Sequence, residues 1–135
     1  DYKSDMDDFL AKTMVFLNEK ASKNLLEDCK ATFYEAMNNC YQTLGEDAFR
    51  FDSETGNRRP INMPLFEVLM FVFSDNRLMQ DVSYTKQEVE NFKRKVDHKQ
   101  MFSGNVDSTI NVNERYDMAE KLINQLSNVI KSIHS

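Results

Sequence analysis

The run Leu65, Phe66, Glu67, Val68, Leu69, Met70, Phe71, Val72, Phe73 constrains this chain more than any other stretch. Wound as a helix, it is apolar on every side except at Glu67. A helix of that kind is covered by neighbours on all faces. It therefore predicts a buried central helix over about 64–74, with other helices packed around it. A carboxylate in such a helix must be paired, hydrogen-bonded or neutral. Just upstream, Arg58 and Arg59 form a basic pair, Pro60 stops the preceding segment, and Asn62, Met63 and Pro64 read as a helix start. Proline is tolerated in the first turn, where its missing N–H has no intrahelical partner to lose.

The rest of the chain also carries helical spacing. Met6, Phe9, Leu10, Thr13, Met14 and Leu17 mark one face of a helix over 5–19, with Asp5, Asp7 and Asp8 at the positive end of its dipole. A turn follows at 21–24, with Asn24 as N-cap. A second helix over 25–44 carries Leu26, Cys29, Phe33, Met37, Cys40, Tyr41 and Leu44, and Gly45 is its natural stop. The short loop makes these two an antiparallel hairpin. The connector 46–59 contains Phe49 and Phe51, which pin it to the core, and a polar tip at 53–57. Thr85 and Glu88 form a capping box opening a helix with Val89, Phe92 and Val96. A short helical piece at 99–103 buries Met101 and Phe102 and is broken by Gly104 and Asn105. A second capping box, Asn111 with Glu114, opens a long last helix whose stripe is Val112, Tyr116, Ala119, Ile123, Leu126, Ile130 and Ile133. No strand, repeat or low-complexity segment stands out. The expected fold is all-α: a single compact bundle of five or six helices, one domain over 1–135, which 135 residues can support with a real core. The start at Asp1 rather than Met reads as the C-terminal fragment of a longer protein.

Several function classes are disfavoured. The net charge is −5 with pI ≈ 5.0, against a surface that is basic all over. Cys29 and Cys40 lie about 16 Å apart along one helix, too far for a mutual disulfide, and read as buried free thiols of a reducing, cytoplasmic compartment. The longest apolar run is far short of a membrane span. Gly45, Gly56 and Gly104 stand alone, so no phosphate loop exists. His98 and His134 have no metal-ligand spacing, and Asp97 beside His98 faces elsewhere if both are helical. The residues point to no catalytic group, metal or cofactor.

Three polar features remain. Arg50, Arg58 and Arg59 are a cationic cluster at the start of the central helix, where Asn62 and the backbone N–H groups also favour anions. Their functional reading is an anion or nucleic-acid contact. Their structural reading, which we favour, is pairing with Glu46, Asp47, Asp52 or Glu54. Lys93, Arg94 and Lys95, with Lys86 and Lys99, read as a solvated helix face. Glu67 finds its most plausible partner by type in Arg115, in the first turn of the last helix, as a buried or half-buried pair.

The order Gly45, Glu46, Asp47, Ala48, Phe49, Arg50, then Arg58, Arg59, Pro60, Ile61, Asn62, Met63, Pro64, Leu65, Phe66, Glu67, then Phe102, Thr109, Val112 and Arg115, resembles one bacterial pattern. It is similar to the helical C-terminal region of proteins with an N-terminal ParB-like nuclease-fold domain, the superfamily of GmrSD-type modification-dependent restriction endonucleases and related phage-defence proteins. Asp5, Met6, Phe9 and Leu10 resemble the helix that opens this region. In that family the nucleotide-dependent and catalytic motifs lie in the ParB-like domain or in an HNH nuclease domain, and neither pattern is visible here. The resemblance implies a non-catalytic accessory domain that scaffolds or regulates, with the preceding ParB-like domain or a second copy as partner. Ten Phe and eight Met exceed what a core of this size needs, which predicts an exposed apolar docking patch. The alternative is a module contacting DNA through the Arg50, Arg58 and Arg59 region.

Overall fold

A computed structural model of the chain describes residues 8, 11–12, 23–78 and 85–134; of 23–29, Asn76 and His134 only the backbone is described. Among these residues are five α-helices and no strand: α1 (Lys23–Leu44), α2 (Met63–Phe73), α3 (Lys86–Val96), α4 (Gln100–Ser103) and α5 (Thr109–His134). Short 3-10 turns follow α1 (Gly45–Asp47) and α2 (Asn76–Leu78). The expected helix over 5–19 falls almost wholly outside the described residues, and so does the side chain of Cys29. Asn24 lies inside α1, so the helix opens before the proposed cap.

α2 sits in the middle, against α1, α4 and α5. Its start is fixed by Asn62, whose backbone is extended and whose Oδ1 accepts the Leu65 N–H at 2.9 Å. Asn62 Nδ2 donates to the Phe102 carbonyl at 2.9 Å, so one side chain caps α2 and ties it to α4. Pro64, Leu65, Phe66, Val68, Leu69, Val72 and Phe73 are buried. The helix is not covered all round, however. Met63, Glu67 and Phe71, spaced i, i+4, i+8, form an open stripe, with Phe71 38% and Met63 40% exposed. Among the described residues the main neighbours of this eleven-residue helix are α1, α4 and α5, and one of its edges stays open to solvent.

The connector after α1 is anchored as its aromatic residues suggest. Gly45 takes φ +78, the left-handed turn that ends α1. Phe49 is fully buried and meets Phe66 edge-on at 4.7 Å. Phe51 stands perpendicular to Phe102 at 5.9 Å. Each such ring removes apolar area worth roughly 2 kcal/mol. Among the described side chains of α1 the buried positions are Ala36, Cys40 and Thr43, while Tyr41 is 55% exposed, against the stripe that counted it inside. Burial pushes the Cys40 thiol far above its ordinary pKa, which makes it an inert core group.

Two cap assignments need correction. Thr85 precedes α3 as expected, but its side chain makes no capping hydrogen bond there. The last helix opens at Thr109, and its cap lies three residues before Asn111: Ser108, whose Oγ accepts the Asn111 N–H at 3.2 Å. Asn111 itself is buried and donates from Nδ2 to the Asn105 carbonyl at 2.7 Å. Serine caps as well as asparagine, and the turn 104–108 is what presents Ser108 rather than Asn111 at the break. With this start Arg115 sits in the second turn, away from the dipole's positive end. Tyr116, expected in the buried stripe, is 53% exposed at the edge facing Phe71.

Candidate functional site

The connector, the approach to α2 and one side of α3 enclose a cleft of about 430 Å³ that contains Arg50, Arg58, Arg59 and Lys93. Each of the three arginines is turned toward the protein. Arg50 is 5% exposed; its Nη1 donates to the Arg59 carbonyl and its Nε lies 3.7 Å from Asp47. Arg58 Nε meets Asp47 Oδ1 at 2.8 Å, with Glu46 at 3.7 Å. Arg59 grips Asp97 with both arms, at 2.6 and 2.8 Å, reaches the Asp52 carbonyl at 3.2 Å, and lies over the Phe51 ring. A two-armed guanidinium–carboxylate contact is the strongest geometry of its kind. It holds the Asp97 carboxyl below and the Arg59 guanidinium above their ordinary pKa values.

Local acidic residues do account for Arg58, through Glu46 and Asp47. Arg59's main partner is Asp97, thirty-eight positions downstream, and no local spacing could have shown it. Asn62 is engaged inside the fold: its Oδ1 accepts the Leu65 N–H, and its Nδ2 donates to the Phe102 carbonyl. The start of α2 is also a poor anion site, since Pro64 has no N–H, the Leu65 N–H goes to Asn62 Oδ1, and the Phe66 N–H goes to the Asn62 carbonyl.

Lys93 overturns the reading of 93–95 as a uniformly solvated face. It is 8% exposed, and its Nζ donates to the Asp47 carbonyl at 3.0 Å. Burial lowers its pKa, opposed by the charges of Asp52, Glu90 and Asp47. Arg94 and Lys95 are exposed, with Arg94 Nε 3.2 Å from Asp52 Oδ2.

His98 also differs from expectation. α3 ends at Val96 with Asp97 as its C-cap, and His98 follows with φ +69, so the rule that helical neighbours face apart does not apply. The His98 ring meets Glu54, and ligand atoms of Glu54, Asp97 and His98 lie within 4.8 Å of one another. The cation already in this cluster is Arg59, forked on Asp97 and 3.9 Å from Glu54. The arrangement closes the 52–57 tip onto the end of α3 as an ion-pair network.

Glu67 and Arg115 do approach, but unequally. Arg115 Nη2 lies 3.4 Å from Glu67 Oε2, with the arginine side chain 6% and the glutamate 64% exposed. The strong contacts of Arg115 are to the carbonyls of Met101 and Val106, both at 2.7 Å from Nη1. The buried charge is therefore held by backbone oxygens of α4 and the following turn. Next to it, Phe71 and Tyr116 meet edge-on at 5.4 Å on the open side of α2 and α5.

Compared with protein-family profiles, curated proteins and solved structures, the chain matches none. Among the described residues no helix is long and apolar enough to cross a membrane.

Proposed function

We propose that this chain is a non-catalytic helical interaction module. In the setting that its sequence resemblance implies, it is the accessory part of a cytoplasmic bacterial restriction or phage-defence protein. It docks on a preceding ParB-like domain or on a second copy of itself. The observation that supports this reading is the open aromatic edge of α2 and α5. Phe71 and Tyr116 remain exposed while packed on one another, with Met63 40% exposed at the start of the same α2 stripe. Aromatic and methionine side chains held in place at a surface are typical anchors of protein interfaces. The cleft supports the same reading from the other side, because its arginine forks are directed at carboxylates within the chain.

The test is sedimentation of the chain alone and mixed with the polypeptide encoded immediately upstream of it. Association is expected in one of the two, weakened at least about tenfold by Phe71→Ser with Tyr116→Ser, the effect of losing interface anchors. A monomer that binds nothing upstream would sink the proposal. Arg58, 41% exposed at the cleft mouth, keeps DNA contact as the alternative. That reading requires binding at low salt that falls steeply as salt rises.

A further inference from the structure

A second surface, sharing no residue with the Phe71–Tyr116 edge, lies between α3 and α5. It is a groove of about 300 Å³ floored by Phe92, Met118 and Leu122 and flanked by Lys95 and Lys121. Phe92 and Met118 are half-buried, and both lysines are exposed. Among the described residues neither lysine lies within ion-pairing distance of a carboxylate, whereas Arg58, Arg59, Arg77 and Arg94 all do. Two cations without local partners thus flank an apolar trough, on a chain whose net charge is −5. Glu88, in the first turn of α3, lines the same groove, and its Oε2 is buried with no hydrogen-bond donor among the described residues.

We propose that this groove receives an acidic amphipathic helix of a partner protein, one bulky apolar side chain seated on Met118 and Leu122. The charges set its direction. A helix N-terminus carries N–H groups without intrahelical partners and a partial positive charge, which suits Glu88. Lys95 lies about 10 Å further along α3, two turns on, where the acidic side chains of the occupant meet Lys95 and Lys121. A trough between two helices with apolar anchors and a charged rim is the common way a helix is held. This inference rests on the interaction-module reading and adds the chemistry of a partner.

The experiment uses the full chain and two synthetic helical peptides with one identical Leu/Phe stripe, one flanked by Glu and one by Lys. The Glu peptide is expected to bind about tenfold more tightly, as two exposed ion pairs in place of two like-charge contacts allow. That preference should shrink with salt and reverse in Lys95→Glu with Lys121→Glu. The methyl resonance of Met118 should shift on binding. Equal affinity for the two peptides, no binding of either, or a silent Met118 would overturn the proposal. Phe71→Ser with Tyr116→Ser should leave peptide binding unchanged, so failure here is distinguishable from failure of the aromatic edge as a docking site.

Discussion

Replacing Arg115 by Met should destabilise the protein far more than replacing Glu67 by Gln, although the two side chains touch. Arg115 is buried and donates 2.7 Å hydrogen bonds to the carbonyls of Met101 and Val106. A hydrogen bond to a charged group contributes about 1.5–3 kcal/mol. Two of them give about 3–6 kcal/mol, and water reaching the exposed turn at 103–105 recovers part of this. A net loss of about 3 kcal/mol is expected. The contact to Glu67 is 3.4 Å long and its carboxylate is 64% exposed, which places it with surface pairs at about 0.5 kcal/mol. At this chain length 1 kcal/mol moves the melting temperature by roughly 4 °C. Arg115→Met should therefore fall by about 12 °C and Glu67→Gln by about 2 °C. Urea unfolding followed by far-ultraviolet circular dichroism, run as a double-mutant cycle, measures the coupling directly. A coupling above about 1.5 kcal/mol, or equal losses in the two single variants, would show that the pair between α2 and α5, and not the carbonyl contacts to α4 and the turn after it, is the main contribution of Arg115.

Three further outcomes follow from the same structure. Asn62→Ala removes the cap of α2 and its bond to Phe102, and should cost about 2 kcal/mol in the same unfolding assay, against about zero for Asn57→Ala in the exposed tip. Asp97 has its carboxyl pKa depressed by Arg59, so its contribution is complete above the ordinary carboxylate value near 4 and is lost as pH falls through the lowered one. Parent stability should accordingly drop more steeply below about pH 4 than that of Asp97→Asn, and parallel curves would refute the assignment. Lys93 has its pKa lowered by burial, so the folded state sheds that proton before the unfolded state does. The stability of the parent relative to Lys93→Met should then rise with pH up to about 10.4, and a flat difference would mean that the ammonium is solvated.

The helices themselves were legible because they are written locally. Leu65 to Val72 repeat apolar residues at every helical offset, Gly45 supplies the left-handed stop, and Phe49 and Phe51 announce a connector that must be pinned. Glu67 and Arg115 could be paired by type, as the one carboxylate in an apolar run and a cation at the start of the last helix. The sequence could not show which partner of Arg115 matters, because backbone carbonyls leave no trace in residue identity. It also misplaced the cap of α5, since Ser108 and Asn111 are both good caps and only the turn before them decides.

What the sequence determined, then, is the class of fold, the place of the central helix and the residues that fill its core. What only the tertiary structure decided is most of the contacts across the bundle. These are the grip of Arg59 on Asp97, the burial of Lys93, the meeting of His98 with Glu54, and the edge of α2 that stays open beside Tyr116. Helix periodicity follows from bonds between neighbours four residues apart, which composition and spacing reveal. Charge pairing and exposure depend on how helices and loops meet, a relation between residues roughly forty positions apart that no local pattern encodes.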